Sequence, residues 1–139
     1  MESKIIKEFS DCFEFHNSAE EFSSLVLAFI GDSVFELLSR TYVLSKGLGS
    51  VNKMNADARR LVNAHSQSEM YHKIEDKLTD AEKSVLKRGR NANSHTMAKN
   101  QTAADYRRAT GIEALFGMLY LKGDTERLTE LFKLCIEIE

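Results

Sequence analysis

The sequence contains no proline, no tryptophan and only two cysteines among its 139 residues. Without proline, no helix is forced to end for want of a backbone donor, so long helices are favoured. Cys12 and Cys135 lie at opposite ends of the chain, which excludes a disulfide framework and a thiolate metal site. No stretch shows the alternating pattern of a half-buried strand. We therefore expect one all-α domain spanning residues 1–139, with reduced thiols.

Signals for export or membrane insertion are also lacking. Residues 1–15 carry charges throughout and have no apolar core of the kind found in signal peptides. The longest apolar region, residues 25–44, includes Asp32, Glu36 and Arg40, which argues against a membrane span. We expect a cytoplasmic protein without membrane contact, whose residues 1–17 form an N-terminal arm or a weak helix.

The most apolar stretch runs through residues 25–30 and continues into Gly31 and Asp32. Its apolar side chains would fall on nearly every face of a helix, which predicts burial in a shared core or against a second copy of the chain. Glycine and aspartate are poor residues for a helix interior. Either Gly31 allows close packing and Asp32 pairs with a basic side chain, or the broken local rules mark a functional carboxylate.

A second apolar helix is predicted over residues 102–121, and it also contains one carboxylate, Glu113. If Asp32 and Glu113 lie together, their negative charges repel and require a cation. Carboxylate oxygens beside a phosphate substrate suit magnesium, which can activate water and neutralise charge while a phosphodiester is broken. The pattern indicates a metal-dependent nuclease, provided that the two helices touch.

The net charge of −2 conceals a basic segment. Residues 87–108 contain six basic residues and one acidic residue, a local charge of +5, which leaves −7 for the rest of the chain. Residues 87–101 are polar throughout, and we expect a long basic loop there. Such a loop either contacts phosphate and sugar oxygens of a nucleic acid or is simply solvated.

Three segments of the chain resemble the ribonuclease III family, and they occur in the same order as in that family. Residues 27–34 resemble the signature helix of its catalytic domains and read LAFIGDSV. Residues 113–121 resemble its second metal-binding helix and read EALFGMLYL. Residues 87–92, KRGRNA, are similar to the mini-ribonuclease III branch, which lacks a separate double-stranded RNA-binding domain. The resemblance covers about residues 20–138.

This resemblance implies an all-helical homodimer with one active site per subunit, which cleaves double-stranded RNA with Mg²⁺ and leaves 5′-phosphate ends. Asp32 matches the catalytic metal-binding aspartate of the family, and Glu113 matches the metal-binding glutamate. In the mini branch, the substrate is the base-paired ends of the large-subunit (23S) ribosomal RNA precursor. Whether a ribosomal protein presents that RNA is left open.

The sequence departs from full-length ribonuclease III at three positions. Leu25, Ala28 and Thr110 stand where the family has carboxylates, so we expect weaker metal binding and more water around the ion. Glu36, one turn after Asp32, is either an additional metal ligand or the partner of a nearby arginine. One metal ion or two are both compatible with this set.

Without a separate binding domain, RNA contacts must come from the catalytic domain, and A-form duplexes are recognised largely by shape through their backbone. Two alternatives remain open: a non-catalytic double-stranded RNA-binding dimer on the same fold, and a small helical protein-interaction dimer. The candidate RNA-binding residues are Lys87, Arg88, Arg90, Asn91, Asn93, Lys99, Arg107 and Arg108, with Arg59 and Arg60 behind them.

Overall fold

The computed structural model describes residues 12–15, 17–47, 49–92 and 102–137, and these contain no strand. The predicted all-α class is confirmed. Two single turns of 3-10 helix cover Ala19–Glu21 and Glu75–Lys77. In the described part of the chain, no helix has the length and apolarity needed to cross a membrane. The α-helices are α1 (Ser24–Ser45), α2 (Val51–Leu61), α3 (Ala64–Ile74), α4 (Asp80–Asn91), α5 (Ala103–Lys122) and α6 (Thr125–Ile136).

Polar side chains cap the helix ends, as local sequence signals predict. The Thr79 hydroxyl accepts a hydrogen bond from the backbone N–H of Glu82 at 3.2 Å, and the Glu82 carboxylate accepts one from the backbone N–H of Thr79 at 2.9 Å. Ser18 and Glu21 form a similar capping box, but it does not open α1. It opens the 3-10 turn instead, because the chain becomes extended at Phe22 and α1 starts behind its own cap, Ser23.

Helix α5 lies at the centre of the fold and packs against α1, α3, α4 and α6. Residues 114–119 are all buried, so this helix is enclosed on every side. Helix α1 buries only one face, through side chains such as Leu27 and Phe35. Both helices are strongly apolar, but only α5 is the central element among the described residues.

Three phenylalanines join α1, α5 and α6 in the core. Phe35 lies 5.3 Å from Phe116 and 5.6 Å from Phe132 between ring centroids, in edge-to-face contact. This geometry is favourable for aromatic rings. The cluster fixes α6 against the pair formed by α1 and α5.

The crossing of α1 over α5 depends on two glycines that play equivalent roles. A Cβ atom on Gly31 would overlap the carbonyl oxygen of Glu113, and a Cβ atom on Gly117 would overlap the carbonyl oxygen of Leu27. The two backbones are therefore in direct contact, at positions four residues apart on each helix. Gly31 therefore allows close helix packing, which was one part of the first of the two interpretations given above.

The prediction of a basic loop over residues 87–101 is wrong for its first part. Helix α4 continues through Lys87 to Asn91, because Gly89 packs directly on α5, where its added Cβ would lie 2.8 Å from Cα of Gly111. Basic side chains in a last helical turn are also favourable to the helix dipole. Residues 93–101 lie outside the described residues, as do residues 1–11 of the expected N-terminal arm.

A partly buried ion pair between α4 and α6 predicts acid sensitivity. The Arg127 guanidinium donates to Glu82 at 2.9 and 2.7 Å, and these hydrogen bonds are the main reason that the pKa of Glu82 is lowered. The stabilisation is therefore present above the ordinary pKa of glutamate and is lost as the pH falls through the lowered pKa.

We expect Glu82→Gln to lower the free energy of unfolding at pH 7 by about 1–2 kcal/mol, between the values for exposed and fully buried pairs. Urea unfolding at pH 7 and pH 3 checks this, and the difference from wild type should shrink at pH 3. Glu36→Gln is the control, because its pair with Arg40 is exposed. An equal loss for both variants at pH 7 would contradict the prediction.

Candidate active site

The crossing of α1 and α5 brings together the two carboxylates that the sequence singled out. Gly31 rests on the backbone of Glu113, and Asp32 is the next residue along α1. The Asp32 and Glu113 carboxyl groups lie within hydrogen-bonding contact of each other. Asp32 is exposed, whereas Glu113 is partly buried. The site therefore has one solvent-exposed carboxyl and one partly buried carboxyl.

This arrangement changes the chemistry of Glu113. Burial raises its pKa, and the neighbouring Asp32 raises it further, to about 8. The amide of Gln67 acts in the opposite direction and is the smaller influence. Two carboxylates in contact cannot both be ionised without compensation. The pair must therefore hold either a proton or a cation.

The donor set fits magnesium. Both candidate ligands are carboxylates, and Mg²⁺ is commonly held by one or two carboxylates while water and substrate phosphate fill its remaining positions. Nowhere in residues 12–15, 17–47, 49–92 or 102–137 do three or more Asp, Glu, His or Cys side chains form a group suited to a metal. The pair Asp32–Glu113 would hold such an ion with few protein ligands.

Gln67 is part of this site, although the sequence did not single it out. Its side chain is only 3% exposed, and it reaches Glu113 from α3. It lies four residues before Tyr71 and seven before Ile74, on the buried stripe of that helix. The available signal was its helical spacing from Tyr71 and Ile74, which places an amide among core residues.

The other carboxylate considered for the site, Glu36, is engaged elsewhere. It accepts a hydrogen bond from Nε of Arg40 at 2.9 Å. This is the arginine pairing given above as the alternative to a ligand role. Thr110, at a position where the family has a carboxylate, donates its hydroxyl to the carbonyl of Tyr106 at 3.0 Å, within its own helix.

Two of the candidate RNA-binding arginines are held in place by neighbouring side chains. Nη1 of Arg90 donates to the Tyr71 hydroxyl at 3.0 Å. Nη1 of Arg108 donates to the Ser68 hydroxyl at 3.1 Å and lies 3.8 Å from Asp105. Tyr71 and Ser68 both belong to α3, so both arginines are anchored to that helix.

The remaining candidates divide by exposure. Lys87, Arg88, Asn91 and Arg107 are exposed at the end of α4 and the start of α5. Arg59 and Arg60 are exposed on α2, where Arg60 also pairs with Asp57 at 3.2 Å. Asn93 and Lys99 lie outside the described residues.

The side of α1 opposite the core carries several large apolar side chains that are exposed in the described structure. Phe29 is 79% exposed and Leu37 is 65% exposed. Val26 and Phe29 line an apolar groove together with Tyr120 and Leu121 of α5 and with phenylalanines that precede α1. Asp32 follows Phe29 by three residues, which is about one turn of the same helix.

Comparison with known proteins gives consistent matches. Residues 25–124 match the family model described as the Ribonuclease III domain. The chain is 44% identical over 120 residues to Mini-ribonuclease 3 of Clostridium tetani, a match covering 86% of this chain and 80% of that one. It is 38% identical over 117 residues to Mini-ribonuclease 3 of Streptococcus pneumoniae, covering 83% and 91% respectively.

A solved structure shares the fold. The crystal structure of a protein from Fusobacterium nucleatum is similar with a TM-score of 0.75 at 34% identity, covering 84% of this chain and 93% of that one.

Proposed function

Because the chain belongs to the ribonuclease III family and is an endoribonuclease, we propose that it cleaves double-stranded RNA in a magnesium-dependent reaction at the Asp32–Glu113 pair. The contact between these two carboxyls is the observation that carries the proposal. The products are 5′-phosphate and 3′-hydroxyl ends. One active site lies in each subunit.

In this proposal the side chains have separate tasks. Asp32 and Glu113 hold the ion from opposite helices, and the shared backbone contact at Gly31 keeps them in register. When bound, magnesium supplies charge neutralisation at the scissile phosphate and activation of water. The exposed position of Asp32 leaves one side open to the RNA backbone.

The basic residues around the end of α4 and the start of α5 form the proposed RNA surface. Arg88 and Arg107 are exposed and can reach phosphate oxygens. Arg90 and Arg108 are anchored by Tyr71 and Ser68, so they present fixed cations. Duplex RNA binding should accordingly weaken as salt is raised. Asn93 and Lys99 remain proposed contacts from the sequence.

The proposed biological substrate is the base-paired ends of the 23S ribosomal RNA precursor, and the proposed compartment is the cytoplasm. The similarity to proteins named Mini-ribonuclease 3 supports this assignment. The buried Cys135 is a free thiol, which suits a reducing compartment. A ribosomal protein that presents the RNA is a proposed additional partner.

We also propose that two copies associate through the uncovered face of α1. Large apolar side chains such as Phe29 and Leu37 are rarely left exposed together without a partner surface. The same patch on two subunits makes a self-complementary interface with twofold symmetry. The two active sites would then face opposite strands of one duplex.

Leu37→Asp is expected to convert the dimer to monomers, because a charge would have to be buried at the centre of the apolar face. Sedimentation equilibrium measures the change. Val51→Asp on α2 is the matched control, since Val51 is 67% exposed and Leu37 is 65% exposed. A dimer that survives Leu37→Asp would exclude this face as the interface.

The direct test of the function is cleavage of a short duplex RNA by the purified protein. We expect cutting with added Mg²⁺, none in excess EDTA, and none of a single strand of the same sequence, because the ion activates water and neutralises charge in this class of site. A folded dimer that binds duplex RNA without cutting it would favour the non-catalytic alternative. No salt-dependent RNA binding at all would favour the protein-interaction dimer.

A further inference from the structure

Gln67 combines three properties that do not suit a purely structural residue. Its exposed fraction is only 3%. It contacts the carboxyl of Glu113. Its Nε2 is nevertheless without a hydrogen-bond partner of good geometry among the described residues. A buried donor left in this state destabilises the folded protein and calls for a reason.

Packing alone does not supply that reason. Other buried side chains of α3, such as Met70 and Ile74, fill comparable space in the core without a polar group. A methionine has nearly the shape of a glutamine and would fill the position without a donor. The amide therefore persists at a cost to stability, as side chains at functional sites often do.

The position of the amide relative to the two carboxyls indicates its use. Gln67 is fully buried, Glu113 is partly buried and Asp32 is exposed. The three side chains thus form a series from the core to the surface, with Glu113 in the middle. A donor beneath Glu113 can hold one carboxylate oxygen and leave the other directed toward Asp32.

We propose that Gln67 is the positioning residue of the metal site: its Nε2 donates to one oxygen of Glu113 and thereby aims the other oxygen at the ion. This inference rests on the proposed function. It assigns Gln67 no contact with the ion. Outer hydrogen bonds of this kind orient the ligands of protein metal sites.

A neutral donor suits this site better than a charged one. The pair already carries two carboxyls in contact, so a third charge beneath them would increase the repulsion. Thr110 cannot serve, because its hydroxyl is turned to the carbonyl of Tyr106. When a cation binds, Glu113 is a full carboxylate and accepts the hydrogen bond that Nε2 lacks.

The test compares Gln67→Met with Ser39→Ala as a matched control. Ser39 is also fully buried, and its hydroxyl likewise lacks a partner among the described residues, but it lies two turns beyond Asp32 on α1. Each substitution removes one unsatisfied buried polar group. Both metal-free variants should therefore be as stable as wild type or more stable in thermal unfolding.

Manganese binding then separates the two variants. Titration with Mn²⁺, followed by electron paramagnetic resonance of the free ion, should show affinity about 10 to 100 times weaker for Gln67→Met and unchanged for Ser39→Ala. Duplex cleavage by Gln67→Met should require more Mg²⁺ and approach the wild-type rate at saturation. Equal Mn²⁺ affinity in Gln67→Met and wild type would overturn the inference.

A failure of the proposed function gives a different result, since wild type itself would then neither bind Mn²⁺ nor cut duplex RNA. If Gln67→Met does not fold, the wild-type protein still provides a test. The side-chain N–H signals of Gln67 in a ¹⁵N-labelled sample should shift downfield during Mg²⁺ titration, with the midpoint of metal binding. Signals that stay in place while the metal binds would contradict the inference.

Discussion

Asp32→Asn and Glu113→Gln are each expected to reduce the cleavage of duplex RNA by about a thousandfold or more, without unfolding the protein. A metal site stabilises the charge of the transition state by several kcal/mol, and 1.36 kcal/mol corresponds to a factor of ten in rate. Each substitution keeps the shape of the side chain and removes one of the two carboxylates that the structure places in contact.

Glu113→Gln should raise the stability of the metal-free protein at pH 8, although it reduces cleavage. Because the folded-state pKa of Glu113 is raised to about 8, the folded protein loses stability as the pH rises from the ordinary glutamate range to that value. Glu113→Gln removes this titration. The variant should therefore gain stability over wild type at pH 8, and the gain should disappear near pH 4.

Cleavage rates, thermal unfolding in EDTA and the oligomeric state should be measured for the same samples. Glu126→Gln is a suitable control, because Glu126 is exposed in the first turn of α6 and should keep the wild-type rate. Full activity in a folded Asp32→Asn dimer would refute the assignment of the metal site. Equal loss in the control would point to a general effect of charge.

Gly31→Ala is expected to destabilise the fold by about 3 kcal/mol, which corresponds to a fall in melting temperature of about 10 °C. The added methyl group would overlap the carbonyl oxygen of Glu113, and that atom belongs to a helix backbone. Helices α1 and α5 would have to separate, and Asp32 would move away from Glu113 as they did so. Cleavage should therefore be impaired even at temperatures where the Gly31→Ala variant is still folded.

Gly49→Ala provides the matched glycine control. A Cβ atom there would meet only the flexible side chain of Lys53, at 3.3 Å. The change should leave the free energy of unfolding within about 0.5 kcal/mol of wild type. Thermal unfolding and duplex cleavage of both variants decide the matter. If Gly31→Ala were as stable as Gly49→Ala, the described crossing would be wrong.

The parts of this structure that could be predicted are those encoded by neighbouring residues. The capping box at Thr79 and Glu82, the stop at Gly123 and the apolar stripes of α1 and α5 are local signals, and the helices follow them. Asp32 and Glu113 could be singled out because each interrupts an apolar pattern. Their contact could only be conditional, since periodicity does not show which helices cross.

The parts that could not be predicted depend on partners distant in the chain. Gly89 reads as a helix breaker, but it continues α4 because Gly111 lies against it. Gln67 looks like an ordinary polar residue until Glu113 is placed beside it. An apolar face that meets a second protein has the same sequence pattern as one that meets the core. The sequence therefore does not show whether α1 or α5 is the central helix of the fold.

The glycine crossing also bears on the order in which the protein can become active. Gly31 and Glu113 are about eighty residues apart, and closing a loop of that length costs roughly 4 kcal/mol of chain entropy. Contacts of such long range form late in folding relative to local helices. A newly made chain that has formed its helices but not this crossing holds its two carboxylates apart. If the pair is the metal site, as proposed, we expect such a chain to be inert toward RNA, and ribonuclease activity to appear only in molecules whose topology is complete.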